Sequence, residues 1–360
     1  MKTVSAFYLR GTPCLYHLFA ELAGTYDLRL YWPADWEDCA RWLIGASAYD
    51  PLRPRPLPVL PLGPMRDLSF HGPRLARKAV HDKAVIFTRP DHAALLPYFA
   101  RQKKIYYAID DYAQYRTDWL SGEKRLLAAC DHVVAVSQAL GKRLIERESS
   151  ARARLSISPN AVPGAWIPEA PPQTSRDLPD GLRLQRPIAG VLGSISSRLR
   201  LDWLAEAVNA EPGLYWLFAG SVEQGELRDE HRPVLAWLEA HPRCRFLGRQ
   251  SYEQLARLAA CLDVAVLPYS EASVNPYGSS VRLYLHLPFA QPVVATPGCL
   301  AVEEYQPLVR MCRSAGEFVR VLRDLKERDF DDGLRRARWE AAQNHSWARR
   351  AEHFKTLIGM

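Results

Sequence analysis

The sequence predicts an α/β protein made of two doubly wound halves, and three observations carry that prediction. β-Branched and aromatic runs alternate with helix-periodic runs almost from end to end. At 360 residues the chain is longer than one hydrophobic core usually serves. A proline-rich stretch without periodicity separates two such alternating series.

Residues 3–9, TVSAFYL, read as a buried strand. The turn Arg10-Gly11-Thr12-Pro13 follows, then the periodic run CLYHLFAELA as a helix and YDLRLYWP as a second strand. A β-α-β opening of this kind implies parallel strands and a right-handed crossover. Residues 51–64, PLRPRPLPVLPLGP, hold six prolines, which exclude a helix or central strand and predict an extended surface loop. The rhythm resumes with strand KAVIFTRP, helix HAALLPYFARQ, strand KKIYYAID, helix GEKRLLAAC, strand DHVVAVS, helix QALGKRLIERE and the short strand RLSISPNAV. Residues 163–187, with six prolines and two glycines, read as the inter-domain linker.

The second series runs IAGVLGSIS, RLDWLAEAVNA, LYWLFAGS, PVLAWLEAH, RCRFLG, YEQLARLAACL, DVAVLPY, SSVRLYLHLPFA and PVVATPG, strand and helix in turn. Two helical stretches, AGEFVRVLRDLKER and DDGLRRARWEAAQNHSWARRAEHFKTLIG, close the chain. The expected layout is a Rossmann-like domain over 1–162, the linker, a second Rossmann-like domain over 188–335 and a terminal helix over 336–360. Two such halves place a cleft between their strand C-termini, where ligands bind in sheets of this kind.

Composition narrows the classes further. With 48% hydrophobic and 24% charged residues the chain is that of an ordinary soluble globular protein. Its formal charge of +7 suits an anionic partner: a nucleotide phosphate, an acidic membrane surface or a nucleic acid. Seven cysteines, scattered and never in a C-x-x-C pair, argue against a disulfide framework or a zinc site and for a reducing cytosol. No run of about 18 apolar residues occurs and the apolar start is broken by Arg10, so neither a membrane span nor an export signal is expected.

The most specific pattern lies in the second half, where RFLGRQSYEQLARLAACLDVAVLPY is followed by SSVRLYLHLPFAQPVVAT. It resembles the C-terminal domain of GT-B glycosyltransferases, in particular the bacterial group 1 and glucuronosyltransferase-like enzymes that assemble surface polysaccharides. That group carries an S-P-x-K-L-x-E-Y-L-A-x-G-x-P-V-V-A-T run. Ser279 to Tyr284 occupy its first six places and Pro292 to Thr296 its end. IAGVLGSISSRLRLDWL is similar to the group's first C-domain strand and glycine loop. IYYAIDDY, DHVVAVSQAL and SPNAV are similar to steps of its acceptor domain, and NHSWARRAEHF to its closing helix, which in that fold crosses back onto the first domain.

The resemblance implies a transferase that moves a sugar from a nucleoside diphosphate, UDP being favoured, to an acceptor hydroxyl, without cofactor or metal. Helix N-termini bind diphosphates through free N–H groups and the positive end of the dipole. Ser279, Ser280 and Val281 would form that terminus, and Arg282 would stabilise the departing diphosphate. Gly193 and Ser194 would let the backbone approach the donor, with Arg198 as a second phosphate group and Tyr269 beside them. Asp110 or Asp111 would be the base of an inverting reaction, or would orient the acceptor in a retaining one. The sequence departs from the pattern twice. The glutamate that holds the donor ribose falls at Leu285, leaving Glu271 or a backbone group for that task, and the usual glycine before P-V-V falls at Ala290.

The expected acceptor is a glycan or lipid-linked glycan. Arg53, Arg55, Arg66, Arg74, Arg77 and Lys78 would let the first domain rest on an anionic inner leaflet. Two alternatives stay open: a glycosyltransferase acting on a modified nucleobase in DNA, and a non-catalytic binding protein of the same fold.

Overall fold

A computed structural model of the chain describes residues 1–7, 12–35, 37, 39–40, 52, 54–59, 67–173, 178–179, 182–271 and 275–359. The predicted turn Arg10-Gly11, the strand tail Tyr8-Leu9, and Arg53 and Arg66 lie outside these residues. The chain divides into two compact units, one of Met1–Pro159 with Trp347–Met360, the other of Asn160–Ser346. Residues 163–187 thus fall within the second unit.

In the first unit β1 (Thr3–Phe7), β2 (Asp27–Ala34), β3 (Arg55–Pro58), β4 (Ala84–Phe87), β5 (Lys103–Ala108), β6 (His132–Ala135) and β7 (Leu155–Ile157) form one parallel sheet in the order β3-β2-β1-β4-β5-β6-β7. The expected loop at 51–64 is corrected here: Arg-Pro-Leu-Pro forms the edge strand β3. Val59 N donates to Ala34 O, so along this strand the odd residues turn their N–H groups toward β2 and the two prolines face outward. An edge is where a sheet tolerates proline, because the missing N–H would have bonded nothing. The predicted helix at 92–102 is instead a run of 3₁₀ turns over Pro90–Phe99, with Pro97 inside it removing a helical donor. The closing helix Trp347–Gly359 belongs to this unit, its Trp347 ring stacked 6.1 Å from His17 and its Phe354 ring 5.0 Å from Tyr107.

The second unit has six parallel strands, β8 (Ile188–Leu192), β9 (Tyr215–Ala219), β10 (Cys244–Phe246), β11 (Val264–Leu267), β12 (Val293–Ala295) and β13 (Val309–Met311), in the order β10-β9-β8-β11-β12-β13. Strand β13 and the helices Gly72–Lys78 and Leu300–Glu303 carried no sequence signal above their surroundings. All residues of β8 and β11 are buried, as strands covered on both faces must be. Helices Leu201–Ala210 and Ala315–Glu327 supply Leu204, Val208, Phe318 and Leu322 to the core that holds Trp216 and Phe218. The strand order reverses between β8 and β11, and the C-terminal ends of two such strands bound the crevice where ligands bind in open α/β sheets.

Candidate functional site

Each predicted donor residue can be followed from the strand that delivers it. Strand β8 ends at Leu192 and the chain turns sharply through Gly193, whose φ of +102° an L side chain rarely adopts. The turn packs onto the end of β9: Gly193 N donates to Ala219 O at 2.7 Å, and a Cβ on Gly220 would sit 2.0 Å from Gly193 O. Gly220 is therefore as constrained as Gly193, and only this close approach reveals it. An irregular loop covers residues 193–200 before helix Leu201–Ala210 begins, where the periodic run RLDWLAEAVNA predicts it.

Across the reversal point, β11 ends at Leu267 and Tyr269 follows. Tyr269 Oη lies 2.7 Å from Ser280 Oγ, and Ser280 accepts from Leu283 N at 3.1 Å as the N-cap of helix Val281–His286. One residue into that helix, Arg282 reaches back to β8 and donates to Leu192 O at 2.6 Å and to Ser194 O. Its guanidinium lies against Gly193, 3.2 Å from where a Cβ would stand. Gly193, Ser194, Tyr269, Ser280, Val281 and Arg282, up to 89 positions apart in sequence, thus meet at the reversal of strand order.

Arg282 is hydrogen-bonded but not neutralised, since among the described residues it has no carboxylate partner. The two carbonyls occupy two of the five N–H donors of a guanidinium, and the planar group keeps its charge at any ordinary pH. Burial pulls its pKa below the usual arginine value, and the neighbouring Tyr269 works weakly against that. Burial also pushes the Tyr269 hydroxyl above its ordinary value, so it stays a neutral hydrogen-bonding group.

The other predicted donor residues are placed differently. Ser279 Oγ accepts from Asn160 N at 3.0 Å, and Asn160 Nδ2 donates to Ser279 O at 2.8 Å. Asn160 is a residue that sequence reasoning passed over within SPNAV, and its buried Oδ1 has no partner. Arg198 pairs with Glu226 at 2.8 Å, while its carbonyl receives Ser270 N and Asn275 Nδ2. Glu271 is 73% exposed, with a carboxylate oxygen 4.0 Å from Arg200.

Both departures from the family pattern have structural reasons. Leu285, one turn after Arg282, is buried in an apolar cluster with Ile188, Leu192, Leu258 and Leu262. Ala290 is fully buried with φ of 63°, the left-handed conformation that explains a glycine at this place in the pattern. Beside them His286 is buried, accepts at Nδ1 from Gln291 Nε2 at 3.1 Å, and is held neutral by a pKa pushed down to about 3 through burial and the nearby Arg282.

In the first unit the structure separates the two predicted carboxylates, which follow β5. Asp111 is buried, with Oδ2 accepting from Arg143 Nε at 2.9 Å and Oδ1 from Arg147. Arg147 continues to Glu123 at 2.6 Å, and Glu123 accepts from Tyr106 Oη at 3.1 Å. Both Asp111 oxygens are thus committed to a buried ion-pair network, which suits a brace better than a proton acceptor. Asp110 is only partly buried, and its Oδ1 accepts from Asp111 N at 2.8 Å. Among the described residues no three His, Cys, Asp or Glu side chains gather as a metal site, and no helix is long and apolar enough to cross a membrane.

No family model matches the chain, and no curated protein matches it in sequence. Solved structures do. Anabaena HepE in complex with UDP and glucose superposes with a TM-score of 0.75 at 16% identity over 100% of both chains. The catalytic domain of Arabidopsis thaliana starch synthase IV, bound to ADP and acarbose, gives 0.69 at 10% identity over 100% of this chain and 99% of that one. The lipopolysaccharide outer core galactosyltransferase WaaB in its apo form gives 0.66 at 12% identity over 99% of each. With its two parallel sheets and these full-length similarities, the chain has the GT-B fold of glycosyltransferases.

Proposed function

We propose that this protein is a glycosyltransferase that moves a sugar from a nucleoside diphosphate sugar to an acceptor hydroxyl. The observation that carries the reading is the un-neutralised Arg282 guanidinium laid across Gly193 at the reversal of strand order. In this reading the diphosphate rests on the Gly193-Ser194 turn, Arg282 turns its remaining donors to the phosphate oxygens, and the Ser279 and Ser280 hydroxyls donate to them. As the glycosidic bond breaks, negative charge grows on the leaving diphosphate. A cation already fixed by two carbonyls stabilises that charge with little reorganisation. Arg282 then supplies the electrostatics that a metal supplies elsewhere, so no metal or cofactor is required. Arg198 exchanges its exposed Glu226 partner for a phosphate, at small cost because surface pairs are weak.

With Leu285 in the core, the donor ribose falls to Glu271 or to backbone groups of the neighbouring loops. If the reaction inverts the anomeric carbon, Asp110 is the base and Asp111 holds its loop; if it retains, Asp110 orients the acceptor. UDP is the favoured nucleotide, supported by the UDP and UDP-glucose held in the HepE structures. The acceptor is a glycan or lipid-linked glycan of surface polysaccharide or glycoconjugate assembly, a reading supported by the similarity to WaaB. The protein would work in the cytoplasm, in peripheral contact with an anionic membrane. One observation favours a second reading, a non-catalytic binding protein: the apolar, buried Leu285 where the family pattern has a carboxylate.

Calorimetric titration with UDP-, ADP-, GDP- and dTDP-sugars, followed by detection of free nucleoside diphosphate on turnover, separates these readings. UDP-sugar binding with release of UDP supports the transferase. Binding without release supports the second reading, and no binding to any donor removes both.

A further inference from the structure

In the first unit, the edge strand β3 and the helix Gly72–Lys78 border a cavity of about 420 Å³. Arg55 on the strand and Arg74, Arg77 and Lys78 on the helix line it, all four exposed. None of the four has an ion pair among the described residues, whereas nearby Arg29 is neutralised by Asp82 at 2.9 Å. Burial lowers the Lys78 pKa, and the charges of Arg74, Arg55 and Arg29 lower it further. The wall beneath is apolar, formed by buried Leu57 and Leu75. At the rim stands Phe70, 50% exposed, and two residues past Lys78 comes Val80, 55% exposed.

The chemistry of the cavity restricts its occupant. A peptide strand adding to the sheet edge would need outward N–H groups, and Pro56 and Pro58 remove them there. The Pro58 carbonyl is itself held by His71 Nε2 at 2.8 Å. Four cations over an apolar floor, with exposed Phe70 at the rim, complement a group that is anionic at one end and greasy at the other.

We propose that this basic cleft seats the phosphate headgroup of an anionic phospholipid while Phe70 and Val80 enter the boundary between headgroups and acyl chains. The first unit would thereby dock on an acidic membrane surface. The inference rests on the membrane contact put forward above and is independent of donor chemistry.

Sedimentation of the full chain with vesicles of phosphatidylglycerol and phosphatidylcholine, and with phosphatidylcholine alone, tests it. Wild-type protein should partition strongly to the first and little to the second. An Arg74→Glu, Arg77→Glu double variant should lose about tenfold or more in partitioning, because each basic residue near an anionic surface carries a severalfold effect. Phe70→Ser should lose severalfold, and its loss should persist in high salt, which screens charge but not apolar burial. Unchanged thermal melting shows that the variants are folded, and a failed titration with all four sugar nucleotides while vesicle binding stays intact would sink the transferase reading alone. Equal partitioning to neutral and anionic vesicles, or variants that bind as wild type does, would overturn the proposal. So would tighter binding of inorganic phosphate or of a DNA oligomer than of anionic vesicles.

Discussion

The two units each hold a partly or fully buried charge at a strand C-terminus, and they treat it in opposite ways. Asp111 in the first unit meets two arginines, one of which also bonds Glu123. Arg282 in the second donates to two carbonyl oxygens and has no carboxylate partner among the described residues. A charge that is fully paired inside a protein has no field left over for a ligand, and its removal strands its partners. One that is oriented by dipoles alone keeps its field for a ligand of opposite sign. In the proposed reading the difference separates a brace from a binding group among residues that the sequence had ranked together as site candidates.

The comparison is broken most directly at Asp111. Asp111→Asn leaves Arg143 and Arg147 short of a counter-charge, and a loss of about 3–5 kcal/mol is expected in urea unfolding. Donor affinity per folded molecule should stay unchanged. Arg282→Ala should do the reverse, weakening UDP binding about a hundredfold, or about 2.7 kcal/mol, while costing stability only about 1–2 kcal/mol. A variant that melted early without losing affinity would make Arg282 a brace as well.

The pH response sharpens the comparison through two histidines. His92 in the first unit and His286 in the second are both buried, with pKa values pushed down to about 3, chiefly by burial. In the unfolded chain each would take up a proton near pH 6.5, so below that value the unfolded state binds more protons than the native state. Stability should therefore fall as the pH drops from about 6.5 toward 3, by up to about 1.4 kcal/mol per pH unit for each histidine. His286→Asn keeps a polar partner for Gln291 and should flatten that slope in urea melts collected across the range. An unchanged slope would mean that His286 contributes nothing to the acid response.

The smallest effect is expected at Ala290. Ala290→Gly relieves about 1 kcal/mol of left-handed strain and gives up a buried methyl group of similar worth, so its unfolding midpoint should barely move. Ala290→Val adds a β-branched side chain to the same positive φ, and should destabilise by more than about 2 kcal/mol in the same assay.

Much of this was legible in the residues. The buried strands β8 and β11 announced themselves as unbroken apolar runs, and the SSVR step announced its helix because the N-cap and the following periodicity are local signals. Edge strand β3 was missed for a physical reason: proline reads as a breaker unless the chain is known to lie where no N–H is needed. Arg282's direction was also out of reach, since it depends on which carbonyls end β8. Leu285 looked like a lost ligand in the sequence, and the structure makes it a core residue.

By itself, then, the sequence determined what depends on neighbours along the chain: the alternation of strands and helices, the glycine turn after β8 and the Ser280 cap. The tertiary structure alone decided what depends on residues far apart. It brought Arg282 onto Gly193, closed Gly220 against the same turn, and spent Asp111 on two arginines more than thirty positions away. Charge is read from composition, but whether it is neutralised depends on what folding places within a few ångströms of it.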